Sequence, residues 1–167
     1  IDYGFYYPKE LNDFVGERYS NNVGHVYFLR YDGIHLNFTA FPSKYTELII
    51  ETQLIASAPE NLGEDHSVYL IRLTPALKFD YHIPIGQKTN YFVGCGINYS
   101  KIYLEADDDK NKCGTLGGSF ETGVFIRIKR LALRPGLAFN LIRGATPSSF
   151  PSELSYIGGN AFFTFQF

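Results

Sequence analysis

What most constrains this chain is a two-residue alternation of apolar and polar side chains that recurs along most of its length. Over 66–82, Tyr69, Ile71, Leu73, Leu77, Phe79 and Tyr81 share one parity, while Arg72, Thr74, Lys78 and Asp80 share the other. Over 153–167, Ile157, Ala161, Phe163, Phe165 and Phe167 alternate with Asn160, Thr164 and Gln166. Over 130–142, Leu131, Leu133, Leu137, Phe139 and Leu141 alternate with Arg134, Ala138 and Asn140, and over 46–56 Leu48, Ile50 and Leu54 alternate with Glu47, Glu51 and Gln53. The pattern loosens over 90–104, where Phe92 and Ile102 fall among the polar parity. Successive side chains of a strand point to opposite faces, so each segment reads as a strand with one greasy and one polar face. No segment carries a helical period, although residues 8–18 allow a short helix inside a loop.

Eight strands are expected, near 1–7, 24–41, 45–57, 66–82, 89–105, 117–129, 130–143 and 153–167. Their connections alternate in length. Pro42-Ser43-Lys44, Pro84–Lys88 and Lys129-Arg130 are short, whereas 8–23, 58–65, 106–116 and 144–152 are long and polar. An up-and-down antiparallel meander elaborated on one rim has this rhythm, and both chain ends then fall on the short-turn rim.

Composition narrows the class. The 167 residues form one domain, 1–167, and no apolar run approaches the roughly 18 residues of a membrane-spanning helix. An aromatic share of 17% argues against disorder, and a net charge of −2 gives no reason to expect nucleic acid as a partner. Two cysteines, Cys95 and Cys113, are too few for a disulfide scaffold; parity turns Cys95 outward and puts Cys113 in a loop, too far off to pair unless that loop folds back. The chain opens Ile1-Asp2-Tyr3-Gly4-Phe5, already alternating, and reads as a mature or trimmed chain, so the missing signal peptide does not argue against export.

Two architectures accommodate eight alternating strands. A lipocalin-like soluble barrel places apolar residues inside, and an outer-membrane barrel places them outside, against lipid. Three features favour the second. Many segments exceed the usual 5–6 residues and suit a tilted strand of roughly 9–11 residues crossing a bilayer. The minority parity is small and charged: Asp2, Glu47, Glu51, Arg72, Lys78, Asp80, Glu121, Arg127 and Arg134, with Gly94, Gly96, Gly123, Gly136 and Gly158. A narrow lumen takes glycines and paired charges, whereas on a solvent face those glycines only weaken strands. Aromatic residues also gather at strand ends, Tyr45, Tyr81, Tyr91 and Phe167 toward the short turns and Tyr7, Tyr69 and Tyr103 toward the loops, as interfacial girdles do.

The closing stretch Asn160-Ala161-Phe162-Phe163-Thr164-Phe165-Gln166-Phe167, with Tyr91-Phe92-Val93-Gly94-Cys95-Gly96-Ile97-Asn98-Tyr99, resembles small bacterial outer-membrane β-barrels of the OmpA/OmpX/OmpW type, including PorT-like barrels. By pattern the resemblance covers nearly the whole chain. It implies an eight-stranded transmembrane barrel in a bacterial (Gram-negative) outer membrane with periplasmic termini. It also implies that Phe163, Phe165 and Phe167 form the signal read by the outer-membrane assembly machinery during insertion.

Five acids and four bases in the proposed lumen nearly balance, as confined charges must. Two readings follow: a static polar plug, or switchable ion pairs that gate small solutes as in OmpA-type barrels. No catalytic residue, cofactor or resident metal is expected. The four histidines, His25, His35, His66 and His82, read as loop, lumen and turn residues, and the His-x-Ser-Asn motif of PagL-type deacylases is absent. Asp107-Asp108-Asp109 reads as a solvated loop tip without the alternate ligand spacing of an EF-hand, although acidic loops could bridge lipopolysaccharide phosphates through divalent cations. The expected function is a non-enzymatic structural or interaction barrel, in contact with outer-membrane lipid and lipopolysaccharide or held as a subunit of a larger outer-membrane complex. The alternatives are an OmpW-like path for small hydrophobic solutes and a lipid-modifying enzyme.

Overall fold

The computed structural model describes residues 1–7, 30–58, 68–106, 109–145 and 154–166. Their strands are β1 (Asp2–Tyr7), β2 (Arg30–Ser43), β3 (Thr46–Ser57), β4 (Val68–Pro84), β5 (Thr89–Ala106), β6 (Asp109–Ile128), β7 (Leu131–Ala145) and β8 (Leu154–Gln166). Each pairs antiparallel with the next, and β1 also pairs with β8 from Asp2 opposite Phe162 to Tyr7 opposite Ile157, so the ladder closes on itself. The all-β, antiparallel, up-and-down reading therefore holds.

Strand faces follow the alternation. In β4, every second residue from Val68 to His82 is buried and the intervening ones are exposed. Outward side chains are apolar, with Leu36 76% and Phe38 82% exposed, whereas inward Glu47 and Asp80 are fully buried. A water-soluble barrel would show the reverse. The inward set is not purely polar, however. Phe92, Phe125, Ala132, Ala138 and Phe162 form an apolar layer inside the barrel. Phe92 and Ile102, which spoil the sequence alternation, are simply inward residues that happen to be apolar.

The expected loop at 106–116 is largely strand. Residues Asp109 to Gly117 pair with β5 in unbroken register, so β5 and β6 form one long hairpin and Cys113 stands in β6 opposite Ile102, not in a loop. Once a hairpin leaves an apolar layer, both faces turn polar and the period-2 signal vanishes, but the backbone ladder does not need it. Cys95 lies opposite Phe120 on the outer face, seven positions along β5 from Ile102. At about 3.3 Å per residue that is roughly 23 Å from Cys113, beyond disulfide reach.

The short connections bunch at one end. Lys44-Tyr45 and Lys129-Arg130 are two-residue turns, and Lys129 takes the left-handed φ of 55° that so tight a reversal demands. Ile1 and the end of β8 lie toward this same rim, Ile1 hydrogen-bonded to Phe163 and Gln166 opposite Ala132. The helix expected at 8–18, the loops 8–23 and 144–152, nearly all of 58–65, and the strand segment 24–29 lie outside the described residues.

Candidate functional site

The candidate site is the inner wall. Glu47 on β3 stands opposite Asp80 on β4, Asp80 opposite Gly94 on β5, and Gly94 opposite Glu121 on β6. Three carboxylates in one row across four strands would repel one another. Arg134 on β7 prevents this: its guanidinium donates to both Asp80 and Glu121, and its Nε lies 4.0 Å from Glu47 Oε2. Gly94 leaves the space this needs, because a Cβ there would fall 1.8 Å from Asp80 Oδ1. Lys78 completes the cluster, with Nζ 2.7 Å from Glu51 Oε1 and 2.8 Å from Glu121 Oε2. All of these side chains are buried.

Aromatic rings hold the guanidinium from its faces. Arg134 lies 4.3 Å from the centroid of Phe92 and 5.2 Å from that of Phe162, within cation–π range. Those rings fit because Gly123 and Gly136 face each other on β6 and β7. A Cβ on Gly136 would meet Phe162 at 2.4 Å, and one on Gly123 would meet Phe92 at 2.7 Å. Gly94, Gly123 and Gly136 are thus places where the wall gives way to a carboxylate or a ring, whereas a Cβ on Gly96 would meet the Leu77 carbonyl and the stem of Lys78.

Two further groups extend the network. His82 Nε2 lies 2.9 Å from Glu47 Oε2, and Gln166 Nε2 donates to Glu47 Oε1 at 2.7 Å. Asp2 Oδ2 lies 2.7 Å from His35 Nδ1, whose Nε2 lies 2.7 Å from Thr164 Oγ1, and Asn160 Nδ2 donates to Asp2 Oδ1 at 2.9 Å. Carboxylate, imidazole and hydroxyl in this order form the relay used in nucleophilic catalysis. Here the hydroxyl is buried in the wall, and the chain ties β1, β2 and β8 together. Glu47, Asp80 and His82 also offer three ligand atoms within 4.8 Å of one another. Arg134 already supplies the cation at that position.

Of the nine charges expected in the lumen, Asp2, Glu47, Glu51, Arg72, Lys78, Asp80, Glu121 and Arg134 are buried inside. Arg72 donates to Gln53 Oε1 at 3.1 Å. Arg127 is the exception and corrects the expectation. It shares the inward parity of Phe125 but lies one residue from the end of β6, exposed at the short-turn mouth. Parity assigns a face and says nothing of depth. The near balance of charge therefore shifts: the buried set holds five acids and three bases, with His35 and His82 each against a carboxylate. The sequence reading assigns the histidines only collectively, to loop, lumen and turn, and places Gln53, Asn160, Thr164 and Gln166 on the polar parity without naming them in the charge network; the structure bonds His35, His82 and these four to its buried groups.

On the outer face, Tyr45, Tyr81 and Tyr91 are exposed toward the short turns and Tyr69 and Tyr103 toward the other rim. Phe163 and Phe165 point outward with ring centroids 5.0 Å apart, edge to face. The side chains of Tyr7, Phe167 and Asp109, and all of His25, His66, Asp107 and Asp108, lie outside the described residues.

No protein-family model matches the chain, and no curated protein matches it. Among solved structures, it is similar to the crystal structure of neisserial surface protein A (NspA), with a TM-score of 0.61 and 9% identity over 98% of this chain and 92% of that one. At so low an identity the likeness bears on architecture alone: the chain shares the fold of a small β-barrel.

Proposed function

We propose that this chain is a non-enzymatic, eight-stranded transmembrane β-barrel of a bacterial outer membrane, with periplasmic termini and a lumen plugged by paired charges. Its loops or outer wall would contact lipopolysaccharide or partner proteins, and Phe163, Phe165 and Phe167 would serve as its assembly signal. The observation that carries this reading is the inversion of faces: Leu, Ile and Phe side chains stand outward while Arg134, Asp80 and Glu121 are buried among themselves. In water that outer wall would be a large continuous apolar surface, and a bilayer is the solvent that removes its cost. The tyrosines at both rims support the same orientation, as does a fold shared with a protein whose name places it at a surface.

The plug supports a narrower reading of the role. An eight-stranded barrel has just enough interior for side chains, and this one fills it with an aromatic layer and an ion-pair network. That favours a wall or platform over a channel. The test is to refold the chain into phosphatidylcholine vesicles and compare boiled with unboiled samples on a gel. A heat-dependent shift in mobility, insertion into the vesicles and no conductance above background are expected. Solubility in plain buffer without any shift would overturn the membrane assignment, and sustained conductance would overturn the plug.

A further inference from the structure

The short-turn mouth differs in charge from the lumen beneath it. Lys44, Lys88, Arg127, Lys129 and Arg130 ring it, and the connections from Ser43 to Thr46, Pro84 to Thr89 and Ile128 to Leu131 contain no acid. Among the described residues none of these five cations has a carboxylate partner. The contacts of Lys44 and Arg127 are aromatic, Lys44 Nζ 4.6 Å from the Tyr45 ring and Arg127 6.0 Å from the Phe125 ring.

The cations surround a recess of about 350 Å³ lined by Phe41, Ser43, Lys44, Gln87, Lys88, Asn90, Phe125 and Arg127. A smaller recess of about 160 Å³ shares Phe41, Phe125 and Arg127 and adds Lys129 and Arg130. Its aromatic floor has a structural cause. The β2–β3 register slips between Ala40 and Ser43, and a bulge of this kind re-aims a side chain. Phe41 accordingly lies over the mouth, its ring 6.1 Å from Phe125 and 6.0 Å from His82. Gln166, which also lines the smaller recess, donates to Glu47 and so joins the mouth to the buried carboxylates below.

We propose that this basic mouth binds a phosphate-class anion, either the head of an anionic phospholipid or a free phosphate compound. Three cations around one recess call for a ligand with concentrated negative charge. A guanidinium presents donors in a fork that matches oxyanions, and Gln87, Asn90 and Ser43 add neutral donors. The volume is large enough for a single headgroup. A ring-lined floor beside the cations also suits an amphiphile, whose first carbons would lie on Phe41.

The experiment is calorimetric titration of the refolded protein in zwitterionic micelles. One arm adds pyrophosphate and the other adds phosphatidylglycerol in place of phosphatidylcholine. The comparison is with Lys44→Gln/Lys88→Gln/Arg127→Gln, with Arg127→Gln alone in case the triple variant misfolds, and with Lys110→Gln at the opposite rim as control. Binding to the unmodified protein and to Lys110→Gln is expected, weakened roughly tenfold or more by the triple change and partly by Arg127→Gln. Binding of pyrophosphate identifies a soluble ligand, and binding of phosphatidylglycerol alone identifies a lipid head. Two outcomes overturn the site: no binding in either arm, or equal binding by the variants. If the cations only neutralise the surplus lumenal carboxylates, the first of these results. The lipid arm rests on the membrane reading, but the pyrophosphate arm does not, so failure of one leaves the other interpretable.

Discussion

Arg134→Met tests the buried network most directly. The side chain is 1% exposed, its guanidinium bridges Asp80 and Glu121, and its Nε lies 4.0 Å from Glu47. Unit charges 4 Å apart attract by about 4 kcal/mol at an effective dielectric constant near 20. Much of that gain offsets the desolvation of the guanidinium and does not appear as stability. Removing the arginine alone reverses the situation. Methionine fills part of the volume, but the carboxylates stay buried, with Lys78 on Glu121 and His82 on Glu47 as the remaining neighbours. Breaking a buried pair from one side costs about 3–5 kcal/mol, and with Asp80 left without a cation and Glu121 with only one of its two we expect the upper end. The assay is urea unfolding of the refolded protein in vesicles, followed by circular dichroism and by the fraction of heat-shifted species. Adding Asp80→Asn and Glu121→Gln to Arg134→Met should restore most of the loss, because the stranded charges disappear with the partner that balanced them. A loss below about 1 kcal/mol for Arg134→Met, or no recovery in the triple variant, would refute the idea that these charges depend on one another.

Three further outcomes follow from the same geometry. Leu77→Arg places a charge on the outer wall midway along β4, where Leu77 is exposed, and should cost about 2–4 kcal/mol in vesicles; no loss would mean that this wall faces water. Gly136→Ala should destabilise by about 1–3 kcal/mol, since its Cβ would meet Phe162 at 2.4 Å and the Thr122 carbonyl at 2.8 Å, while Gly159→Ala, with nothing nearer than 3.8 Å, should be nearly neutral in the same unfolding assay. Cys95 is exposed on the outer face, so a lipid-soluble maleimide should label it in vesicles much faster than a charged, membrane-impermeant one; equal rates would place it in water.

Much of the fold was legible in the chain because a strand's side chains alternate with a period of two. Leu73 and Phe79 against Arg72 and Asp80 establish a strand, its two faces and, with charges and glycines on the minor face, which face is enclosed. The signal failed where its physical cause was missing. Around Asn111 and Lys112 both faces are polar, and the hairpin of β5 and β6 continued unseen through backbone pairing alone. Phe92, Phe125 and Phe162 were inward yet apolar, so their contribution to the lumen could not be told from the polarity of their neighbours.

By itself, then, the sequence determined the class of fold and, wherever apolar and polar residues alternate, the side on which each residue stands, because a strand's successive side chains point to opposite faces. Only the tertiary structure decided which inward residues meet. Arg134 joins Glu121 from 13 positions away, Asp80 from 54 and Glu47 from across the barrel, at heights set by strand register and by closure of β1 on β8. Register also placed Arg127 at the mouth among the lysines and left Asp80 fully buried in the lumen, although both carry the same alternation. Height along the barrel is a property of all the strands together, and no local pattern contains it.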